Sequence, residues 1–155
     1  IIMKNPYQRK TASKNQQKPY SVLENYQQFI QNIIAQRMII ALYHEGWALC
    51  ATPSGQQAFP AWQSRSLARL LIKDQWENYK IHEITLKDLI GKVLPYLRVH
   101  ETHLSLDLTP EGQNILVRPE KFLLDLKNYL YQLYLQQPEV FREMQLPAPR
   151  SIRLH

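Results

Sequence analysis

Two histidines that could bind a metal ion or transfer protons, His100 and His103, lie three residues apart in the sequence. A zinc site would need a further ligand from elsewhere in the chain, and His82 or Glu83 could supply it. The two histidines fall between a predicted helix end and a predicted strand, and polar loops of this kind commonly hold solvated histidines. We favour the solvated loop and expect no metal ion or other cofactor.

The single cysteine, Cys50, would act as a nucleophile only if a histidine or a helix N-terminus activated it. Its neighbours are apolar strand residues, so we predict a buried and unreactive thiol. The four glycines form no phosphate-binding loop, and no serine lies in a nucleophile elbow. We therefore expect a protein without catalytic residues. A lone cysteine also excludes an internal disulfide framework and is typical of the cytoplasm.

The tryptophans are better candidates for recognition than for chemistry. Aromatic side chains around a small sheet can line a binding groove, or they can fill the core of a small domain. For Trp47 and Trp62 we favour the core. Trp76 and Tyr79 lie in the polar stretch 73–80, and we predict that they contact a partner.

Three tyrosines near the end of the last predicted helix, Tyr129, Tyr131 and Tyr134, wrap around its circumference. At least one of them must face away from the core. An aromatic residue on a second helix face indicates a contact surface. We predict that Tyr131 and Tyr134 belong to it.

The net charge of +6 is concentrated at the two ends of the chain. Residues 1–20 have five basic and no acidic residues, residues 142–155 have a charge of +2, and residues 21–141 have a charge of −1. We predict a basic flexible arm over 1–20, a single α+β domain over 21–141 and an extended tail over 142–155. In the arm, the residues predicted to bind a partner are Lys4, Tyr7, Arg9, Lys10, Lys14, Lys18 and Tyr20.

The segment 46–62 predicts a hairpin around which the other elements are arranged. Its two strands would flank a turn at residues 53–55, and a preceding strand over 38–43 would make a three-stranded meander. No stretch approaches the roughly 18 consecutive apolar residues of a membrane span. The fold predicted is α+β, a small antiparallel or mixed sheet of about five to six strands packed by three to four helices.

Local signals place the remaining elements. Ser21 and Glu24 form a capping box before a helix over 22–36. Pro95 should kink or loosen the helix that opens at 85–88, and Pro119 suits the first position of a long helix. A short helix should follow Ser64 or Ser66, and a brief extended segment is predicted over 81–84. Two further strands are predicted, a half-buried one with Leu104, Leu106 and Leu108 and another over 114–117.

A pattern of aromatic and apolar residues spans roughly residues 26–135. It consists of Gly46-Trp47-Ala48-Leu49, Gly55, Phe59-Pro60-Ala61-Trp62, Leu67-Ala68, Trp76, Ile84-Thr85-Leu86-Lys87-Asp88-Leu89-Ile90, Leu94-Pro95-Tyr96-Leu97 and Arg118-Pro119-Glu120. The chain resembles in these residues the bacterial domain of unknown function 2750, and more distantly the domain of SseB-type secretion proteins. The resemblance implies a small α+β domain and brings no activity. The predicted hairpin of this chain departs from the family pattern, because residues 51–57 carry no charge.

These observations favour a non-enzymatic accessory or adaptor subunit. We expect it to dock on an acidic surface of a larger protein assembly through the basic arm and an aromatic surface. The alternative is an RNA-associated protein anchored by the same arm, since phosphates attract lysine and arginine. A small enzyme of unknown chemistry is the least favoured of the three.

Overall fold

The computed structural model describes residues 19–143. The helices are α1 (Pro19–Gln36), α2 (Arg65–Arg69), α3 (Leu86–Asp88), α4 (Leu94–Val99), α5 (Pro119–Gln136) and α6 (Pro138–Glu143). The strands are β1 (Met38–Tyr43), β2 (Cys50–Ala51), β3 (Gln57–Ala61), β4 (Lys80–Thr85), β5 (His103–Leu106) and β6 (Ile115–Val117). The α+β class predicted from the sequence is confirmed, with its strands divided between two sheets.

The predicted hairpin at the centre of the sequence is confirmed. Strands β2 and β3 pair antiparallel, with Cys50 opposite Ala58. Between them Thr52 N donates to Gln56 O at 2.8 Å, and Gly55 turns the chain with a φ of +91°. Glycine adopts this conformation without the steric cost of a Cβ atom.

The predicted three-stranded meander is wrong. Strand β1 pairs antiparallel with β4, and the second sheet has the order β2-β3-β5-β6, with β3 and β5 parallel. The two sheets meet where Ile40 and Trp62 exchange backbone hydrogen bonds of 2.9 and 2.8 Å. After β1 the chain turns back and forms an isolated β-bridge between Tyr43 and Trp47, not a paired strand. A partner strand that is distant in sequence, β4, therefore takes the place that a local strand was expected to fill.

Side-chain alternation along the strands divides the core into two clusters. In β1, Ile39 and Ala41 face the cluster formed with α1, α4 and α5, while Ile40 and Leu42 face the cluster beneath α2. Strand β3 behaves likewise, because Phe59 belongs to the first cluster and Ala58 to the second. A sheet covered on both sides explains why these strands are buried on both faces.

Strand β5 is another place where burial exceeds the prediction. Leu104 and Leu106 were expected to face the core while the intervening residue faced water. Ser105 is instead fully buried, and its hydroxyl accepts a hydrogen bond from Asn114 Nδ2 at 2.6 Å. Both faces of β5 are covered by the rest of the fold, so the half-buried assignment is wrong and the buried hydroxyl needs a partner.

The first helix begins earlier than its predicted capping signal. Helix α1 starts at Pro19, so Ser21 lies within its first turn, and the predicted capping box is wrong. The short helix α2 follows its prediction better, because Ser64 is its N-cap and accepts a hydrogen bond from Leu67 N at 3.3 Å.

The loosening predicted near Pro95 is confirmed as a π-helical turn over Leu89–Val93 that joins α3 to α4. Pro95 has no backbone N–H to donate to a preceding carbonyl, and a wider turn accommodates the missing bond. Thr85 caps the start of this composite helix, its hydroxyl accepting from Asp88 N at 3.1 Å. Residues 86–99 therefore form a composite helix with a π-helical turn in its middle rather than one regular α-helix.

The long helix α5 begins at Pro119, as predicted, and packs on α1. Its Asp125 carboxylate accepts a hydrogen bond from the Tyr26 hydroxyl at 2.6 Å. Helix α6 follows directly, so Arg142 and Glu143, predicted to open an extended tail, are helical instead. Residues 144–155 and 1–18 lie outside the described part. No helix within 19–143 is long and apolar enough to cross a bilayer.

Candidate functional site

An open groove with a volume of about 610 Å³ lies between strand β4 and the composite helix 86–99. We call it the Trp47 groove. Three parts of the chain line it: the hairpin region with Gly46, Trp47, Leu49, Gln57 and Phe59, strand β4 with His82, Glu83 and Ile84, and the segment from α3 to β5 with Asp88, Lys92, Val93, Tyr96, Leu97 and Thr102. Its volume is in the range of known ligand and peptide sites.

Trp47 is the centre of an aromatic cluster in this groove. Its ring lies 5.0 Å from the rings of Tyr43 and His82 and 5.7 Å from that of Phe59, and the three pairs are edge-to-face. This is the arrangement that ring quadrupoles favour. Trp47 is only half-buried, so part of the indole remains available to a ligand.

The register of the β1–β4 ribbon places His82 beside Trp47. His82 lies opposite Ala41, and Ile84 lies opposite Ile39. Residues that are directly opposite in an antiparallel pair share a face, so His82 and Ile84 both project toward the first core cluster. His82 is exposed, whereas Ala41 opposite it is buried.

The helical side of the groove is partly polar. Tyr96 is 58% exposed, and its ring stacks on that of His100 at 4.0 Å. Lys92 lies 3.7 Å from Asp88 one turn earlier, an exposed pair that contributes little stability. At one end of the groove Gln57 Nε2 donates to Thr102 Oγ1 at 2.9 Å. The groove thus combines apolar and aromatic surface with a few polar groups, as recognition sites do.

The two histidines considered as metal ligands do not form a metal-binding cluster. His100 is exposed, its Nδ1 lies 2.9 Å from Tyr96 O, and its ring is held by the stack on Tyr96. His103 is half-buried at the start of β5. In the described range no three His, Cys, Asp or Glu side chains are grouped as ion ligands.

Cys50 is buried, as the sequence predicted. Burial raises the pKa of its thiol to about 12, and a hydrogen bond with Ser105 offsets only part of that rise. Because the thiolate is the reactive form, the side chain is protonated and weakly nucleophilic at neutral pH.

This burial leads to a prediction about alkylation. A thiol with a pKa near 12 has about a thousandfold less thiolate at pH 8 than one with the ordinary value of 9.0. We expect iodoacetamide to modify Cys50 about a thousandfold more slowly in the native chain than in urea, as followed by mass spectrometry. A native rate within about tenfold of the unfolded rate would show that the thiol is accessible.

Four of the predicted partner-binding residues, Trp76, Tyr79, Tyr131 and Tyr134, do not line the groove. Lys4, Tyr7, Arg9, Lys10, Lys14 and Lys18 are outside the described residues, and Tyr20 belongs to the first turn of α1. Trp76 is fully buried in the second core cluster, so it presents no surface to a partner in this conformation. Tyr79 is half-buried between Trp76 and His44. The polar surroundings of Trp76 in the sequence concealed its burial.

The tyrosines of α5 occupy the positions that the helical period predicts. Tyr131 is 49% exposed and Tyr134 is 37% exposed, while Tyr129 packs against the core. Leu135, at 57% exposure, extends the same patch. The structure thus supports an apolar surface here, and a partner for it stays a prediction.

Two groove residues were not predicted to bind a partner: His82, considered only as a metal ligand, and Tyr96. Both Trp47 and Trp62 were assigned to the core. Trp62 is fully buried, as predicted, whereas Trp47 is only half-buried. The available signal was the extended segment predicted over 81–84, which places His82 on a strand. The pairing of β4 with β1 could not be read from that signal.

Comparison with known proteins adds a family and no activity. A family model described as "Protein of unknown function (DUF2750)" matches residues 26–126. Neither the curated proteins nor the solved structures gave a match.

Proposed function

The chain belongs to the DUF2750 family of proteins of unknown function, and from its groove we propose that it is a non-enzymatic adaptor that docks on a larger protein assembly. The observation that carries this proposal is the Trp47 groove. Tryptophan and tyrosine supply much of the binding energy at protein interfaces, because they bury large rigid surfaces at low entropic cost.

The composition of the groove favours recognition over catalysis. His82 lies against Trp47 in the groove, and no hydrogen bond in the described part of the chain joins it to a hydroxyl, thiol or carboxylate. A nucleophile and its base are normally within hydrogen-bond reach of each other. Exposed aromatic surface, by contrast, needs only a partner that covers it.

The basic arm gives the adaptor a second point of attachment. Residues 1–20 have a charge of +5, whereas residues 21–141 have a charge of −1. Charge on an arm accelerates encounter with an acidic surface, and apolar burial in the groove would then hold the complex. Two linked contacts bind more tightly than either alone.

Affinity capture with matched surface variants tests this proposal. Tyr96 and Val99 are both exposed on α4, but only Tyr96 lines the groove. We expect Tyr96→Ser to weaken capture of a defined protein set by roughly tenfold or more, and Val99→Ser to leave it unchanged. The readout is quantitative mass spectrometry of nuclease-treated native lysate bound to the full chain.

A chain starting at Pro19 separates the contribution of the arm from that of the groove. Loss of the same set with this truncation supports two-point docking. A bound set that disappears on nuclease treatment points to RNA and overturns the adaptor proposal. Equal capture by the wild type, Tyr96→Ser and Val99→Ser also overturns it.

A further inference from the structure

We infer that the outer edge of β4 binds an extended segment of a partner protein as an added strand, with apolar side chains entering the Trp47 groove. This inference rests on the proposed function and deepens it, because it names the conformation and chemistry of the segment that the groove receives.

The hydrogen bonds of β1 show which of its backbone groups face β4. The N–H and C=O of Ile40 bond to Trp62, and Leu42 O accepts from Ala48 N at 2.9 Å. These groups therefore point away from β4. Since bonding directions alternate along an antiparallel strand, β1 bonds to β4 through residues 39, 41 and 43.

The opposite set of backbone groups on β4 consequently faces outward. Glu83 is the partner of Ile40 and Ile81 is the partner of Leu42. Because these are the non-hydrogen-bonded pairs of the ladder, the N–H and C=O groups of Ile81 and Glu83 point to the outer edge. Within residues 19–143, β4 has no second strand neighbour, and no turn or loop bond reaches Ile81 or Glu83.

This open edge borders the groove. His82, Glu83 and Ile84 all line the groove, although successive side chains of a strand point to opposite faces. A cavity that touches three consecutive residues must run along the edge of the strand. The Glu83 carboxylate itself pairs with Arg65 of α2, so its backbone is the part nearest the groove.

Charge indicates the chemistry of the added segment. Lys80, His82 and Ile84 share the groove face of β4, and Lys80 has no ion-pair partner among the described residues. An added strand would match this face with an acidic residue opposite Lys80 and apolar residues opposite His82 and Ile84. Cross-strand pairs of opposite charge and of apolar residues stabilise sheets.

A second copy of the chain fits this edge less well. In an antiparallel β4–β4 pair, the residues facing Lys80 would come from the same groove face, which holds Lys80, His82 and Ile84. None of these is acidic, so Lys80 would stay unpaired. A partner segment satisfies the edge and a second copy does not.

The test begins with a display library of random peptides selected on the full-length chain. We expect the selected peptides to alternate an acidic residue with apolar residues. A synthetic peptide of the selected sequence is then titrated against the wild type, Glu83→Pro and Glu83→Ala. Proline removes the outward N–H and suits an edge strand, while alanine keeps the N–H and removes the same salt bridge.

We expect Glu83→Pro to bind the peptide about tenfold more weakly than Glu83→Ala, since one hydrogen bond and its geometry are lost. In the wild type, bound peptide should slow hydrogen exchange of the Ile81 and Glu83 amides, which requires no variant to fold. Native fold of each variant is checked by the protection of Cys50 from iodoacetamide.

Each contrary outcome has a distinct meaning. Equal binding by Glu83→Pro and Glu83→Ala, without amide protection, overturns strand addition; if Tyr96→Ser still weakens the peptide, the groove and the adaptor proposal survive. Selection that yields no binding peptide overturns the inference. A homodimer that Glu83→Pro dissociates would show that a second copy occupies the edge, and the partner segment would then be wrong.

Discussion

Replacing Trp62 with alanine should lower the free energy of unfolding by about 3–5 kcal/mol. The Trp62 side chain is fully buried in the cluster beneath α2, and its Nε1–H donates to Leu108 O at 2.8 Å. Its backbone exchanges two hydrogen bonds with Ile40 at the junction of the two sheets. The substitution would therefore leave a large cavity where the sheets meet and a buried carbonyl without its donor.

Trp62→Phe is the matched control, because it keeps much of the volume and loses the hydrogen bond. We expect it to cost about 1–3 kcal/mol, between the wild type and the alanine variant. Urea denaturation followed by circular dichroism measures the stability of both variants. Circular dichroism is preferred to tryptophan fluorescence, because both variants lack one of the three tryptophans of the wild type. A loss of less than about 1 kcal/mol for Trp62→Ala would show that the contact between the two sheets does not depend on this side chain.

Replacing Phe122 with alanine should also cost about 3–5 kcal/mol. Phe122 lies fully buried on the inner face of α5, with its ring 6.4 Å from that of Tyr26 and 6.3 Å from that of Phe29. These contacts attach α5 to α1, and the Tyr26–Asp125 hydrogen bond lies beside them. Losing the central ring would open a cavity between two helices that neighbouring side chains fill only in part.

The control for this substitution lies two residues along the same helix. Leu124 is 43% exposed, so Leu124→Ala truncates a side chain that lies largely in water rather than in the core. Leucine and alanine are both strong helix formers, so the helix itself should be little affected. We expect Leu124→Ala to change stability by no more than about 0.5 kcal/mol in the same denaturation experiment. Similar losses for the two variants would contradict the burial difference between the faces of α5.

The proposed binding edge and the stability of the fold are linked through β4. An open strand edge is an aggregation hazard that proteins usually limit with charged residues. Strand β4 has Lys80 and Glu83 at this edge, and Glu83 is already paired with Arg65. Charged residues thus limit aggregation at this edge while its backbone groups stay uncovered, as a strand that binds a partner segment requires.

Several features were determined by the sequence alone because they depend on residues close together in the chain. The hairpin about Gly55, the start of α5 at Pro119 and the loosened turn before Pro95 follow from glycine and proline backbone geometry. The exposure of Tyr131 follows from the helical period. Local sterics and periodicity suffice for all of these.

The groove depended on tertiary structure. Strand β1 could pair with the next strand or with β4, and the sequence signals for the two are alike, because strand pairing is decided by packing over long sequence separations. That pairing brings His82 to Trp47, leaves the edge of β4 open, and buries Trp76 within a polar stretch of sequence. The sequence shows where the aromatic residues are along the chain. Only the fold decided which of them are in contact, because the pairing of distant strands sets the face of the sheet on which each side chain lies.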